Sequence, residues 1–222
     1  MPLVLTPFQV FAALSAFCGL VALQFFKGRR VNLVILRKSI DIFEKTLPIA
    51  DKLYQIVGLY VGYRAVYWLN SSNVSRAEAT VLLLPRYSLL YYPISKLTMR
   101  FDKLYLTYWF SKPLPYGEAH LVRVGAYRKP LSKVIRNATK MNYSETIVHG
   151  VKFHCIYSDS AAMNRLLRFI ERIPIPKDVM HIAIVPEKPG DYEAHLYLYT
   201  RMRLETLGTI VDASYKLAKS LV

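Results

Sequence analysis

The sequence is poor in the residues that build disulfide frameworks, metal sites and hydrolase centres. It has two cysteines, Cys18 in an apolar run and Cys155 in a strand-like run, in environments too different for them to pair. It has no glycine-rich phosphate loop, no two histidines at helical spacing and no nucleophile elbow. The five histidines fall on or beside predicted strands, where alternation sends neighbours to opposite faces. No catalytic residue, metal ligand or cofactor is therefore predicted, and an enzyme would need carboxylates or histidines that only the fold could assemble.

Charge is absent from residues 8–26 (FQVFAALSAFCGLVALQFF). As a helix this run is about 29 Å long, enough to cross the hydrocarbon core of a bilayer. No basic residue precedes it, and several follow it: Lys27, Arg29, Arg30, Arg37 and Lys38. The positive-inside rule predicts a single-pass anchor (residues 1–27) with the N-terminus outside and the remaining chain cytoplasmic. A cleaved signal peptide, the alternative, has basic residues before a shorter apolar run and a small-residue cleavage site after it.

Residues 28–75 are predicted to connect the anchor to the rest of the chain. Apolar residues at helical spacing predict a stalk helix over 31–47, interrupted by Pro48. Residues 53–69 are apolar enough for a second membrane element but carry Arg64 near their middle. The interpretation we favour is an aromatic-rich segment at the membrane interface or packed on the domain, with Arg64 reaching water or phosphate.

The remaining chain shows one order of elements twice. Residues 76–143 predict strand, helix, two strands and helix at 79–85, 88–99, 104–110, 119–124 and 129–141. Residues 144–222 repeat this order at 148–157, 160–173, 179–185, 194–199 and 203–221, with a hairpin turn at 188–191. The tetrapeptide EAHL begins the last strand of both units, at Glu118 and at Glu193. The expected fold class is α+β, a cytoplasmic domain of two tandem ferredoxin-like units.

Basic residues form the sharpest functional signal. The formal net charge is +15, which favours a polyanionic partner such as RNA or anionic lipid. No acidic residue occurs between Glu118 and Glu145. A single stripe of basic residues along one side of a helix would be an ordinary solvent-exposed face. Two such stripes, together with this large net positive charge, favour contacts with the phosphate backbone that do not recognise base sequence. The candidates are Arg123, Arg128, Lys129, Lys133, Arg136 and Lys140 in the first unit and Arg165, Arg168 and Arg172 in the second; membrane-interface candidates are Lys27, Arg29, Arg30 and Arg64.

The run VRVGAYRKPL (residues 122–131) resembles the strand-to-helix corner, V-G-x-R-K-x-L, of the calumin-like family, the coiled-coil-domain subunit of the eukaryotic PAT complex. The run LGTIVDASYKLAKSL (207–221) is similar to that family's closing helix, and the likeness extends in order over residues 8–221. The resemblance implies a non-enzymatic factor that acts beside the Sec translocon and the ribosome. Its implied partners are ribosomal RNA, nascent multipass membrane proteins and other small insertase subunits.

The sequence departs from that family at both ends. It lacks the acidic outer segment, which leaves calcium binding without support, and it stops at Val222 without a charged coiled coil. The expectation is a minimal, archaeal-type prokaryotic version in the cell membrane, or in the endoplasmic reticulum membrane if the protein is eukaryotic. The alternative function is a membrane-anchored structural protein whose basic surface binds anionic lipid or an envelope assembly.

Overall fold

The computed structural model describes residues 6–187 and 193–222. Within this part the chain forms four helices and nine strands, which confirms the α+β class. The helices are α1 (Pro7–Thr46), α2 (Tyr91–Thr98), α3 (Ser160–Arg172) and α4 (Leu204–Ser220). The strands are β1 (Ile49–Gly58), β2 (Gly62–Leu69), β3 (Val74–Leu82), β4 (Lys103–Phe110), β5 (Ala119–Arg123), β6 (Asn142–Val148), β7 (Val151–Tyr157), β8 (Val179–Val185) and β9 (His195–Arg201).

Helix α1 is continuous through the predicted anchor and the predicted stalk. Thr6 caps its start in a capping box with Gln9, and the helix ends at Thr46, two residues before Pro48. Residues 6–23 are exposed along their whole length, whereas residues 28–46 pack on the domain through buried side chains such as Phe43. The helix is long and apolar enough to span a membrane.

The nine strands form one antiparallel sheet in the order β1-β2-β3-β4-β9-β8-β5-β7-β6. Its core lies on the face covered by α3, α4 and the second half of α1, where β4 contributes Leu104, Leu106 and Tyr108. Alternate residues of the same strand, including Tyr105 and Trp109, point to the opposite face. We call this opposite side the open face.

The strands are not grouped into two separate sheets, one for each predicted β-α-β-β-α unit. Strand β4, predicted for the first unit, pairs with β9 of the second, and β5 lies between β8 and β7. The boundary drawn at residues 143 and 144 falls inside β6. Joining β4 to β9 satisfies backbone groups that two separate sheets would leave exposed as edges.

Residues 53–69 form most of a β-hairpin, β1–β2, which occupies one edge of the sheet. Tyr63, Ala65 and Tyr67 are buried while Arg64 and Trp68 are exposed, a period of two that belongs to a strand. This segment is therefore packed on the domain. The polar residues 70–73 form a turn into β3.

The helix predicted over 129–141 is wrong. That segment contains two 3₁₀ turns, Leu131–Lys133 and Ala138–Lys140, separated by Asn137 in the left-handed region at φ 59°. Asn137 in the left-handed region lies between the two turns and interrupts the backbone, so no continuous α-helical ladder forms. Strand β6 was not predicted, and the hairpin turn predicted at 188–191 lies outside the described residues. The helices predicted at 88–99, 160–173 and 203–221 are confirmed within a few residues.

Candidate polyanion-binding surface

The segment of residues 124–141 lies across the open face and keeps its apolar and basic side chains apart. Ile135 is buried against Val122 of β5 and Ile156 of β7, with Leu131 and Val134 packed around it. Its basic side chains point outward and are exposed: Lys129, Lys133, Arg136 and Lys140. Apolar and basic side chains therefore lie on opposite sides of this segment, as their spacing predicted, although no helix forms. The separation arises because the apolar side chains pack onto the sheet.

Two arginines of this region are held by backbone carbonyls. Arg123 Nη1 donates to the carbonyl oxygen of Lys177 at 2.6 Å, and Arg128 Nη2 donates to that of Leu97 at 2.7 Å. Both acceptors are neutral, and within residues 6–187 and 193–222 neither guanidinium forms an ion pair. Burial, and secondarily the charge of Arg128, lower the pKa of Lys103 on β4. Positive charge is thus concentrated where this segment meets the end of β4.

The second predicted stripe lies on the other side of the sheet. Arg168 and Arg172 on α3 line a groove of about 480 Å³ between α3 and α4, in which Asp212 and Lys216 also lie. Arg165 packs over the ring of Tyr116 and donates to the carbonyl oxygen of Ser220 at 3.1 Å. Because α3 covers the face opposite residues 124–141, one rigid partner cannot contact both stripes at once.

The four membrane-interface candidates differ in their surroundings. Lys27 and Arg30 on α1 are exposed, and the guanidinium of Arg29 lies 4.6 Å from the centre of the Tyr60 ring. Arg64 lies on the open face of β2, and its Nη2 donates to Glu78 Oε2 at 2.6 Å. A phosphate at Arg64 would have to displace this carboxylate.

A polar cluster, missed by the sequence prediction, fixes α1 to the sheet; we call it the clamp. Asn32 is fully buried and donates to the carbonyl oxygens of Tyr60 and Leu84, both at 2.9 Å. Arg86 donates to Asn32 Oδ1 at 3.0 Å and forms two hydrogen bonds to Asp102, at 3.0 and 2.6 Å. Charge-assisted bidentate pairs of this kind are among the stronger and more directional contacts in proteins.

The clamp extends about two further turns toward the N-terminus of α1, to Gln24. Gln24 Nε2 donates to the carbonyl oxygen of Arg86 at 2.6 Å. A Cβ at Gly28 would overlap the Arg86 carbonyl, so glycine allows this close approach. The ring of Phe25 makes edge contacts with Tyr60 and Tyr87. Helix α1 therefore leaves the domain at a fixed point rather than through a flexible linker.

A second polar cluster runs beneath the open face. Tyr127 Oη bonds His181 Nδ1 at 2.8 Å, His181 Nε2 bonds His120 Nδ1 at 3.1 Å, and His120 Nε2 bonds Glu118 Oε1 at 2.8 Å. Burial and the neighbouring His120 lower the pKa of His181, while burial raises the pKa of Tyr127 to about 12. The other titratable groups near His181 are Tyr197, whose ring contacts it, and Tyr199, its register partner on β9. With His181 neutral, one choice of histidine tautomers gives each of the three hydrogen bonds in this cluster one donor and one acceptor.

The signal for this cluster was present in the sequence as the spacing of Glu118 and His120. Residues two apart on a strand share a face, but the partners Tyr127 and His181 come from a loop and another strand. Among the described residues, 6–187 and 193–222, no group of three or more His, Cys, Asp or Glu side chains could hold a metal ion.

No protein-family model matches the sequence, and no curated protein matches it. The function proposed for the chain therefore depends on the geometry above and on the resemblance stated from the sequence.

Proposed function

We propose that this chain is a single-pass membrane protein without enzymatic activity that assists the insertion and folding of membrane proteins beside the Sec translocon. In this proposal the N-terminus of α1 is outside, the sheet domain is cytoplasmic, and the basic segment 124–141 contacts ribosomal RNA. Nascent multipass proteins and other small insertase subunits would pass or bind beside α1. The observation that carries the proposal is the clamp, because it joins a bilayer-length helix rigidly to a strongly basic face.

The basic charges support contact with a phosphate backbone. Lys129, Lys133 and Lys140 of segment 124–141 are exposed, and the segment itself contains no acidic residue. The α3 and α4 side, by contrast, carries Glu171 and Asp212 among its basic residues. We therefore assign RNA contact to the open face and use the opposite face as the control.

The test is co-sedimentation of the full chain, reconstituted in lipid nanodiscs, with ribosomes at increasing salt. The variant reverses four charges of the open face to glutamate: Lys129, Lys133, Arg136 and Lys140. The matched control reverses four exposed charges of the opposite face: Arg168, Arg172, Lys216 and Lys219. Each set changes four side chains by two charges, so both lower the formal net charge from +15 to +7.

Log affinity falls as log salt rises, and each lost phosphate contact makes this negative slope shallower by about 0.7 to 0.9. If all four side chains contact phosphate, the open-face variant loses about 3 from this slope and the control keeps the slope of the native chain. Equal losses in both variants would mean that net charge alone is responsible. Retention on anionic vesicles with no preference for ribosomes would instead favour the structural, lipid-binding alternative.

A further inference from the structure

The register of the sheet identifies the end of the domain from which α1 leaves. Gly62, Leu82, Lys103 and Arg201 lie side by side across β2, β3, β4 and β9. The clamp contacts at Tyr60 and Leu84 adjoin this row, and they hold α1 at Asn32, five residues after Lys27. We call this end of the sheet the proximal end.

The proximal end carries large apolar side chains that no neighbouring residue covers. On α2 and the turn before it, Leu90 is 71% exposed, Ile94 54% and Leu97 76%. At the tip of the β1–β2 hairpin, Ile56 is 81% exposed and Leu59 67%. Exposed apolar residues concentrated at one end of a domain mark an interaction surface rather than ordinary scatter.

A basic pocket opens beside this apolar patch. It has a volume of about 280 Å³ and is lined by Arg100, Lys103, Arg128 and Lys129 together with Tyr105, Tyr127 and Tyr199. Among the described residues no carboxylate lines it. Four cations without a counter-charge, one of them half-buried, form a site complementary to an anion.

The pocket and the apolar patch share a wall. Arg128 on one side of the pocket donates to the backbone carbonyl of Leu97, whose side chain belongs to the patch. The pocket lies near the β4–β9 pair, two strand spacings or about 10 Å from β2, at the same level as the clamp. That level is where α1 changes from apolar residues to Lys27, Arg29 and Arg30.

We propose that the proximal end docks on the same membrane leaflet from which α1 emerges, with the phosphate of an anionic phospholipid in the basic pocket and Leu90, Ile94 and Leu97 among the acyl chains. This inference depends on α1 spanning the bilayer, as in the proposed function. A lipid occupant follows from two observations: the patch is continuous with the exit of α1, and its basic pocket complements a headgroup phosphate. Apolar side chains with flanking cations are the usual composition of an interfacial anchor.

The experiment measures the depth of single fluorescent labels in the full chain. An environment-sensitive nitrobenzoxadiazole label is attached at Leu97→Cys in a Cys18→Ala background, since Cys155 is buried. A label at Leu14→Cys reports on the anchor, and one at Tyr143→Cys, 58% exposed on β6 at the end of the sheet away from the proximal end, is the control. Nanodiscs contain phosphatidylcholine alone or with phosphatidylglycerol, and both types are also prepared with doxyl-labelled lipid as quencher.

The expected result is quenching at residues 97 and 14 but not at 143, with quenching at 97 increased by phosphatidylglycerol. The double variant Arg100→Gln/Lys129→Gln, at two exposed positions, should reduce the preference for the anionic lipid about fivefold for each charge removed. Quenching at 14 without quenching at 97 would overturn the docking proposal and leave the anchor intact. An unquenched label at 14 would overturn the anchor itself, and competition by excess inorganic phosphate without lipid dependence would identify a free anion as the occupant.

Discussion

The clamp offers the strictest quantitative test of how α1 is joined to the sheet. Asn32→Leu keeps roughly the same side-chain volume but removes two hydrogen bonds to backbone carbonyls and one acceptor for Arg86. A neutral buried hydrogen bond contributes about 1 kcal/mol net and one to a charged group about 1.5–3 kcal/mol. The sum is about 3.5–5 kcal/mol, at the upper end for a single substitution. At about 2–4 °C per kcal/mol, the midpoint of thermal unfolding should fall by about 7–20 °C.

A double-mutant cycle separates the Asn32–Arg86 bond from the other two. The four proteins are the native chain, Asn32→Leu, Arg86→Met and the double variant, melted as full chains in detergent and followed by near-ultraviolet circular dichroism. Because both groups lie in one hydrogen-bond network, we expect a coupling energy of about 1.5–3 kcal/mol. Asn70→Leu, the same substitution at an exposed residue, should change stability by less than about 0.5 kcal/mol. A coupling energy within error of zero would refute the clamp as a cooperative unit.

Two further substitutions test the close approach at the clamp and the buried histidine. Gly28→Ala should loosen α1 from the Arg86 loop and increase hydrogen exchange there, whereas Gly19→Ala, with nothing within 4 Å, should not; unchanged exchange in both would contradict the packing. His181 has a lowered pKa in the folded protein, so the unfolded chain binds the extra proton and stability falls as pH drops below about 6.5, by up to about 1.4 kcal/mol per pH unit. His181→Gln should reduce this acid slope in pH-dependent melting, while His149→Asn at an exposed position should leave it unchanged; an unaltered slope for both would count against His181 as its source.

The long helices were predictable because their signals are local. Residues 160–173 and 203–221 carry apolar residues at helical spacing, and Asp159 caps the first of them by accepting from the amide of Ala161 at 2.8 Å. The segment 129–141 has similar spacing and still forms no helix. Its apolar residues are buried by the sheet rather than by a helical partner, and Asn137 in the left-handed region prevents the continuous ladder. Spacing therefore predicted which side chains are exposed but not the backbone conformation.

The pairing of the strands could not be predicted from the alternation of apolar and polar residues along each of them. Alternation identifies the buried face of β4 but does not say which strand lies beside it. The β4–β9 pairing is supported by stacking of Tyr105 on Tyr199, with ring centres 4.7 Å apart, a contact between residues separated by most of the domain. The clamp has the same origin, since residues 24, 32, 86 and 102 meet only after the sheet forms. A lone asparagine between Val31 and Leu33 in an apolar helix was the one signal available.

The rigid junction decides how the two proposed contacts can coexist. A helix of 40 residues is about 60 Å long, and its second half lies on the domain with no linker between the two halves. The domain therefore cannot rotate relative to the first half of α1 without bending the helix or breaking the clamp. Segment 124–141 begins beside the proximal pocket and ends at Asn142, which pairs with Tyr157 at the other end of β7. In the docked orientation proposed above, Arg128 and Lys129 would face the headgroups and Lys140 would lie farthest from the membrane. The same stretch of chain would then meet lipid at its start and RNA at its end.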